Sequence, residues 1–413
     1  MSTATATSSG VRNADVDVPS SAVLRPAEAL FFRLAAPRES ESAAHTLVGR
    51  GIDWDRFVGI VLKEGVAGSV WRTLRDYDLP VPSAAASQLQ GVAALSDFRL
   101  MAVRRLLTKT VAELVAEGIP VMLVKGGALG AFLYAEPCDR NMADIDVVVP
   151  RDRAHEAAQV ARARDWTIDM AELKAALYEE HHHLPPMSDR LGLDIRLEIH
   201  SDVLPVGHPL SYGVAALRSR AVTRRLGASD VLVPSVEDML VYSCIHLAWS
   251  HEMRIGGWRT FRDISELVAH LDFGWDRFLS IASDPTLSSA CYWTLLLAER
   301  LCGIPVPPAV LRALDPGVGE WVGEVVFRHF VLQLVPMAQR NPSEGLARLL
   351  WTAGMRPKRS GHGAARPWQF GERKIEKSRE LGLDTPRSSS ERWWAHRLGI
   401  SDAAGYLRRL AGR

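Results

Sequence analysis

Apolar side chains recur at helical spacing from Pro26 to Gly118, in a stretch rich in Ala and Leu, which predicts a run of amphipathic helices. Asp53 opens one helix, which continues through Phe57, Ile60 and Val61 to a break at Gly65. Another runs from Ser96, an N-cap residue type, through Leu100, Val103, Leu107 and Leu114 to Gly118, where a left-handed C-cap is expected. These helices are expected to buttress the strands that follow. Ile119–Val124 reads as a buried strand, Ala128–Tyr134 as a short helix and Asp144–Val149 as a second strand stopped by Pro150. Helical spacing returns over Arg153–Ala163 and leads to Trp166–Ile168. In Leu193–His200 the apolar Leu193, Ile195, Leu197 and Ile199 alternate with Asp194, Arg196, Glu198 and His200, so the polar residues share one strand face. Ser235 then N-caps a helix with Asp238 at its third position, and helices continue to about Leu350, interrupted at Gly256–Gly257 and over Gly303–Pro308.

The two ends break these patterns. Met1–Ser21 is Ser, Thr, Ala and Asp with few large apolar side chains, too little to offset the entropy of ordering it. Beyond Trp351, Arg356, Lys358, Arg359, Arg366, Arg373, Lys374, Lys377 and Arg379 stand among Gly, Ser and Pro, with a short amphipathic helix expected near Trp393 and Trp394. The chain thus divides into a disordered leader (1–24), an N-terminal helical region (25–118), a strand-bearing core (119–234), a C-terminal helical region (235–350) and a basic, loosely ordered tail (351–413). Its class is α/β in the α+β sense.

Composition narrows the partners. A net charge of +1 over 413 residues gives no global attraction for nucleic acid, so contact of the basic tail with nucleic acid is not the favoured reading. Cys138, Cys244, Cys291 and Cys302 include no C-x-x-C pair, against a disulfide framework or a zinc cage and in favour of a reducing cytoplasm. No apolar run approaches the length of a membrane span, and the N-terminus lacks a basic stretch followed by an apolar one. A soluble, cytoplasmic protein without a membrane partner is expected.

The chemistry concentrates in two stretches. In Asp144-Ile145-Asp146 the carboxylates point to one face and Ile145 to the core, an arrangement suited to a divalent metal. Upstream, Gly126-Gly127 lets a phosphate approach backbone N–H groups with no Cβ in the way, and the following helix offers its positive end. Lys125 and Arg140 are candidates for phosphate oxygens. A third acid, Asp194 or Glu198, comes from the alternating segment. His181-His182-His183, if extended, would point alternately, so at most two rings face one ion, and a structural or cleft-rim role is the default. His246, His251 and Glu252 lack the spacing of a zinc-protease motif.

Strand-Gly-Gly-helix-Asp-x-Asp-strand resembles the core of the DNA polymerase beta-like nucleotidyltransferase superfamily. Leu123-Val124-Lys125-Gly126-Gly127-Ala128-Leu129 with Arg140 and Asp144-Ile145-Asp146 is most similar to its bacterial "uncharacterised nucleotidyltransferase" family, over about Trp54 to His270. One departure is a longer interval from Gly127 to Asp144 than in compact members, in the loop that carries Cys138 and Arg140. The resemblance implies a small mixed-sheet nucleotidyltransferase core flanked by N- and C-terminal helical regions. It implies catalytic, metal-binding Asp144, Asp146 and Glu198, the last because Leu-Glu-Ile-His matches the end of the family's third strand. Nucleotide would be held by Lys125, Gly126, Gly127 and Arg140, with His183, His200 and His246 towards the acceptor. Asp263 falls in what resembles the family's C-terminal helical half. The implied reaction is Mg²⁺- or Mn²⁺-dependent transfer of a nucleotidyl group from an NTP, ATP by default, to an unidentified acceptor with release of pyrophosphate. The alternatives are a non-catalytic nucleotide-binding or regulatory protein on the same fold, or a toxin- or antitoxin-like component that modifies a cellular target.

Overall fold

The computed structural model describes residues 24–142, 144–168, 181–336, 342 and 344–356 together with Tyr406 and Leu410. The expected leader up to residue 23 and most of the basic tail, including Trp393 and Trp394, lie outside the described residues, whereas Leu24 is buried in the core. Within them the chain is a mixed α+β structure.

Four helices come first: α1 (Pro26–Arg33), α2 (Glu41–Gly49), α3 (Trp54–Glu64) and α4 (Ala67–Asp76). The Asp53 side chain caps α3 by accepting from the Arg56 amide at 3.0 Å, and Gly65 ends it at φ +73°, a conformation that costs glycine little. Helix α5 (Ser83–Ala116) begins well before Ser96. Pro82 supplies its N-cap position, and Ser96 is interior. Gly118 takes the expected left-handed conformation at φ +69°.

Among the described residues seven strands form one sheet in the order β3-β4-β5-β2-β1-β7-β6: β1 (Met122–Leu123), β2 (Asp144–Val148), β3 (Trp166–Thr167), β4 (Met187–Asp189), β5 (Arg196–His200), β6 (Val222–Leu226) and β7 (Ser229–Val233). The sheet is mixed, since β1 runs antiparallel to β2 while β2 and β5 run parallel. Helix α6 (Lys125–Phe132) follows β1 and α7 (Ala154–Arg162) follows β2.

The two sheet faces join different cores. Leu123, Ile145, Val147, Leu197 and Ile199 pack with Leu100, Val103, Leu107 and Leu114 of α5 and the alanines of α7. Met122, Val124 and Val148 face the other way, into a larger core shared with α1–α4 and the C-terminal helices. The buttress of the sheet is therefore the second half of α5. The first four helices instead share a core with the C-terminal ones, where the Phe31 ring packs against Trp258 and the Phe32 ring against Phe261. As a result, the polar face of β2 and β5 is roofed by helices.

Arg140 and Asp263 connect roof and sheet. Asp263, on α10 (Gly257–Val268, after α8 Val214–Arg220 and α9 Val236–Ile245), receives the Arg140 guanidinium at 3.1 and 2.9 Å and the Tyr134 hydroxyl at 2.6 Å. Their side chains are 13% and 4% exposed, so removing one partner strands the other charge. We expect Asp263→Ala to lose about 3–5 kcal/mol of stability, read as a lower denaturant midpoint.

Candidate functional site

The register of β2 against β5 builds the site. Asp144 lies opposite Arg196, Asp146 opposite Glu198 and Val148 opposite His200, and in a parallel pair such partners stand side by side on one face. Two anchors keep this register. Arg99 of α5 donates to the carbonyls of Leu193 and Met142 at 3.1 and 3.0 Å and to that of Asp194 at 2.6 Å, tying together the entries to both strands. The Asp189 carboxylate accepts from the amides of Leu191, Leu193 and Ile195 at 2.9, 3.1 and 2.8 Å. This turn leaves Asp194 exposed at φ +54°, outside the strand.

Asp146 is the centre. Its side chain is 1% exposed, and its Oδ1 accepts from Lys125 Nζ and His200 Nε2, each at 2.8 Å. Its Oδ2 is buried with no hydrogen-bond partner. Glu198 Oε2 lies 3.4 Å from His200 Nε2, 3.9 Å from His183 Nε2 and 4.0 Å from Lys125 Nζ. Burial alone would raise the Asp146 carboxyl, but Lys125 and His200 outweigh it and hold the group well below the carboxylate range. Glu198 is likewise held down, against burial, by His200, His183 and Lys125. Asp144 shifts upward, first because Asp146 is a like charge and then because it is buried. For Lys125, burial opposes the charge, and the nearby Asp146 and Glu198 carboxylates overcome it and keep the ammonium charged.

Lys125 reaches this position at a backbone cost. It has φ +48°, where a residue with a Cβ pays of order 1–2 kcal/mol, and the turn out of β1 is made there. Gly126 and Gly127, expected to form that turn, instead belong to the first turn of α6. Gly126 is closely packed: a Cβ on it would lie 3.0 Å from Arg140 Nη1 and 3.2 Å from Met142 Cγ, so those side chains would have to shift by a few tenths of an ångström. It also lines the cavity over the acids, at the uncapped N-terminus of α6. Arg140 lines the same cavity, with its fork already spent on Asp263.

The cavity holds about 750 Å³, in the range of ligand pockets. Besides Lys125, Asp144, Asp146, Glu198 and Asp263, its wall includes Tyr242, His246, Trp249, Arg254, Arg259 and Trp351. His246 begins a π-helical turn, His246–Ser250, closed by the His251 amide on the His246 carbonyl at 3.0 Å, a distortion frequent at functional sites. Glu252 and Met253 follow at φ +48° and +55°. Burial pushes His246 well below the ordinary histidine value and His251 down to about 4, so both are neutral. Trp249 packs edge-to-face on Trp351 with centroids 5.0 Å apart.

The expected site residues Lys125, Gly126, Arg140, Asp144, Asp146, His183, Glu198 and His246 all line this one cavity. Asp146, Glu198 and His200 form a set of potential metal ligands whose donor atoms lie within 4.8 Å of one another. Asp144 stands one step along β2 from that set, and His200 is fully buried beneath the cavity wall. These residues fit a divalent ion: two carboxylates directly opposed across a strand pair, an orphaned buried oxygen and an excess of negative groups. Arg254, Arg259, Trp249 and Trp351 escaped the sequence reading, because nothing in their local spacing distinguishes them from helix-surface residues.

Lys125 Nζ lies 2.8 Å from Asp146 Oδ1 and 4.0 Å from Glu198 Oε2, so its charge competes with an added cation for these carboxylates. We expect Lys125→Met to bind Mn²⁺ at least about tenfold more tightly than wild type without nucleotide, by calorimetric titration. Weaker binding in the variant would show that Lys125 supports the ion instead of competing with it.

A protein-family model described as "Uncharacterised nucleotidyltransferase" matches residues 50–303, more than half of the chain. No curated protein and no solved structure matches.

Proposed function

Because this chain belongs to that uncharacterised nucleotidyltransferase family, we propose that it transfers a nucleotidyl group from an NTP to an acceptor hydroxyl or phosphate and releases pyrophosphate. The observation that carries the reading is the opposition of Asp146 and Glu198 across β2 and β5, beneath a cavity of about 750 Å³. Asp144, Asp146 and Glu198, with His200 beside them, would hold Mg²⁺ or Mn²⁺. When bound, the ion supplies neutralisation of the phosphates and lowers the pKa of the acceptor hydroxyl.

The side chains then divide the remaining work. Lys125, released from Asp146, pairs with phosphate oxygens, and the first turn of α6 at Gly126 and Gly127 offers backbone N–H groups to the same anion. Arg254 and Arg259 add positive charge on the wall, while Arg140 holds the roof. The acceptor oxygen attacks the α-phosphorus, the bond to the bridging oxygen of the pyrophosphate breaks, and the acceptor proton passes to Glu198 as general base. His200 orients Asp146. His183 and His246, both shifted downward from the ordinary histidine value by burial, face the acceptor as neutral imidazoles. The rings of Trp249, Trp351 and Tyr242 provide flat apolar surface for a base. ATP is the first nucleotide to test.

Free thiols at Cys138, Cys244, Cys291 and Cys302 support a reducing compartment, for which we propose the cytoplasm. None of the helices among the described residues is long and apolar enough to cross a membrane.

The test is incubation of the full chain with each labelled NTP and Mg²⁺ or Mn²⁺, following pyrophosphate release and label transfer to candidate acceptors. Asp146→Asn and Glu198→Gln are each expected to lower turnover at least about 100-fold. NTP binding that leaves every NTP intact would instead assign the non-catalytic, regulatory alternative.

A further inference from the structure

The bend before β5 gathers side chains that the nucleotidyl-transfer reading does not use as a set. His181 and His182 are bends, and only His183 is extended, through an isolated bridge to His200. The alternation expected of an extended triplet therefore does not apply. The three rings pack against one another, His181 stacked on His182 with centroids 4.4 Å apart and His183 edge-on to both, 4.2 Å from His181 and 4.9 Å from His182. One donor nitrogen from each lies within 4.8 Å of the other two.

We propose that His181, His182 and His183 form a second metal site, which takes a borderline transition ion of the Zn²⁺ class and is separate from the carboxylate centre. Three lines of geometry support it. A tetrahedral ion with Zn–N bonds of about 2.0–2.1 Å needs donors roughly 3.4 Å apart, so small side-chain rotations close the set around it. The ring orientation of His183 is already fixed from outside: its Nδ1 lies 2.7 Å from the Leu184 carbonyl oxygen. A carbonyl only accepts, so Nδ1 carries the proton and Nε2 keeps its lone pair, the outer-shell pattern of histidine ligands. The backbone of the bend is clamped to β5 as well, with the Ser201 and Asp202 amides on the His182 carbonyl at 2.8 and 3.2 Å and the Leu184 amide on the Ile199 carbonyl at 2.9 Å.

The chemistry of the donors separates this site from its neighbour. Nδ1 of His182 is buried with no hydrogen-bond partner. Three imidazoles suit Zn²⁺, Co²⁺ or Ni²⁺, whereas the carboxylates of Asp146 and Glu198 suit the harder Mg²⁺ or Mn²⁺. All three histidines line the large cavity, so the fourth coordination position opens onto it and takes a water or an oxygen of a bound molecule, as in sites with three protein ligands. The His182 and His183 rings lie 5.1 and 5.0 Å from the His200 ring, which brings the two sites into one chamber. The inference needs only these imidazoles and stands whether or not the protein transfers nucleotides.

The experiment titrates the full chain with Co²⁺ alone, following the visible absorption of a tetrahedral nitrogen-ligated ion, and separately with Mn²⁺, following loss of the free-ion electron paramagnetic resonance signal. Wild type is expected to bind one Co²⁺ with that spectrum. The His181→Asn/His182→Asn protein should bind it at least about tenfold more weakly with Mn²⁺ binding changed less than about twofold. The single substitution His181→Asn, which leaves β5 and its bridge intact, should show the same direction. Asp146→Asn should do the reverse, losing Mn²⁺ and keeping the Co²⁺ spectrum. Co²⁺ binding that survives the histidine substitutions, that disappears with Asp146→Asn, or that never gives a tetrahedral spectrum overturns the proposal. The Mn²⁺ and pyrophosphate measurements are left standing by any of these, so the two readings fail separately.

Discussion

The charge on a buried carboxylate governs this molecule. Asp146 keeps its negative charge with almost none of its side chain in water, and in the low dielectric of an interior that is tolerable only with close compensation. Lys125 and His200 supply it through the same oxygen. Each pays for the service in its own way. Lys125 adopts a left-handed backbone at the head of α6, and His200 gives up all contact with solvent. Strain and burial of this kind persist where the surroundings over-determine them, and here the surroundings are a helical roof over a sheet.

That roof explains why a strand face carrying Asp, Glu and His is not simply a solvated edge. The N-terminal helices α1–α4 and the C-terminal helices share one apolar core, so the chain folds back over its own sheet and encloses the polar face in a cavity. The arginines sort accordingly. Arg99 fixes the strand entries, Arg140 pins the roof through Asp263, and Arg254 and Arg259 remain on the cavity wall. Arginine suits the first two tasks because its planar fork satisfies several acceptors at once.

Two classes of donor meet inside the chamber. Oxygen donors come from β2 and β5, held by strand register, and nitrogen donors come from a bend clamped to the end of β5. The first class depends on regular pairing and the second on its interruption. The π-turn at His246 and the left-handed Glu252 and Met253 bring a third irregular segment to the same space. Irregular backbone collects where the cavity is, while the elements that hold the register are regular.

Much of this was legible in the chain by itself. The Asp53 cap, the Gly65 and Gly118 stops, the Ser235 cap and the alternation of β5 are local, set by the chemistry of a few adjacent residues, and local physics can be read from local sequence. So could the shared face of Asp144 and Asp146, since strand geometry fixes it. What the tertiary structure alone decided is which residues meet across distance. Nothing near Lys125 in sequence says that its ammonium lies between Asp146 and Glu198, nothing near Arg140 says that Asp263 takes its fork, and three adjacent histidines converge only because the bend that holds them is bonded to β5. Register, burial and the folding back of distant helices set those contacts, and each depends on the packing of the whole chain rather than on any window of it.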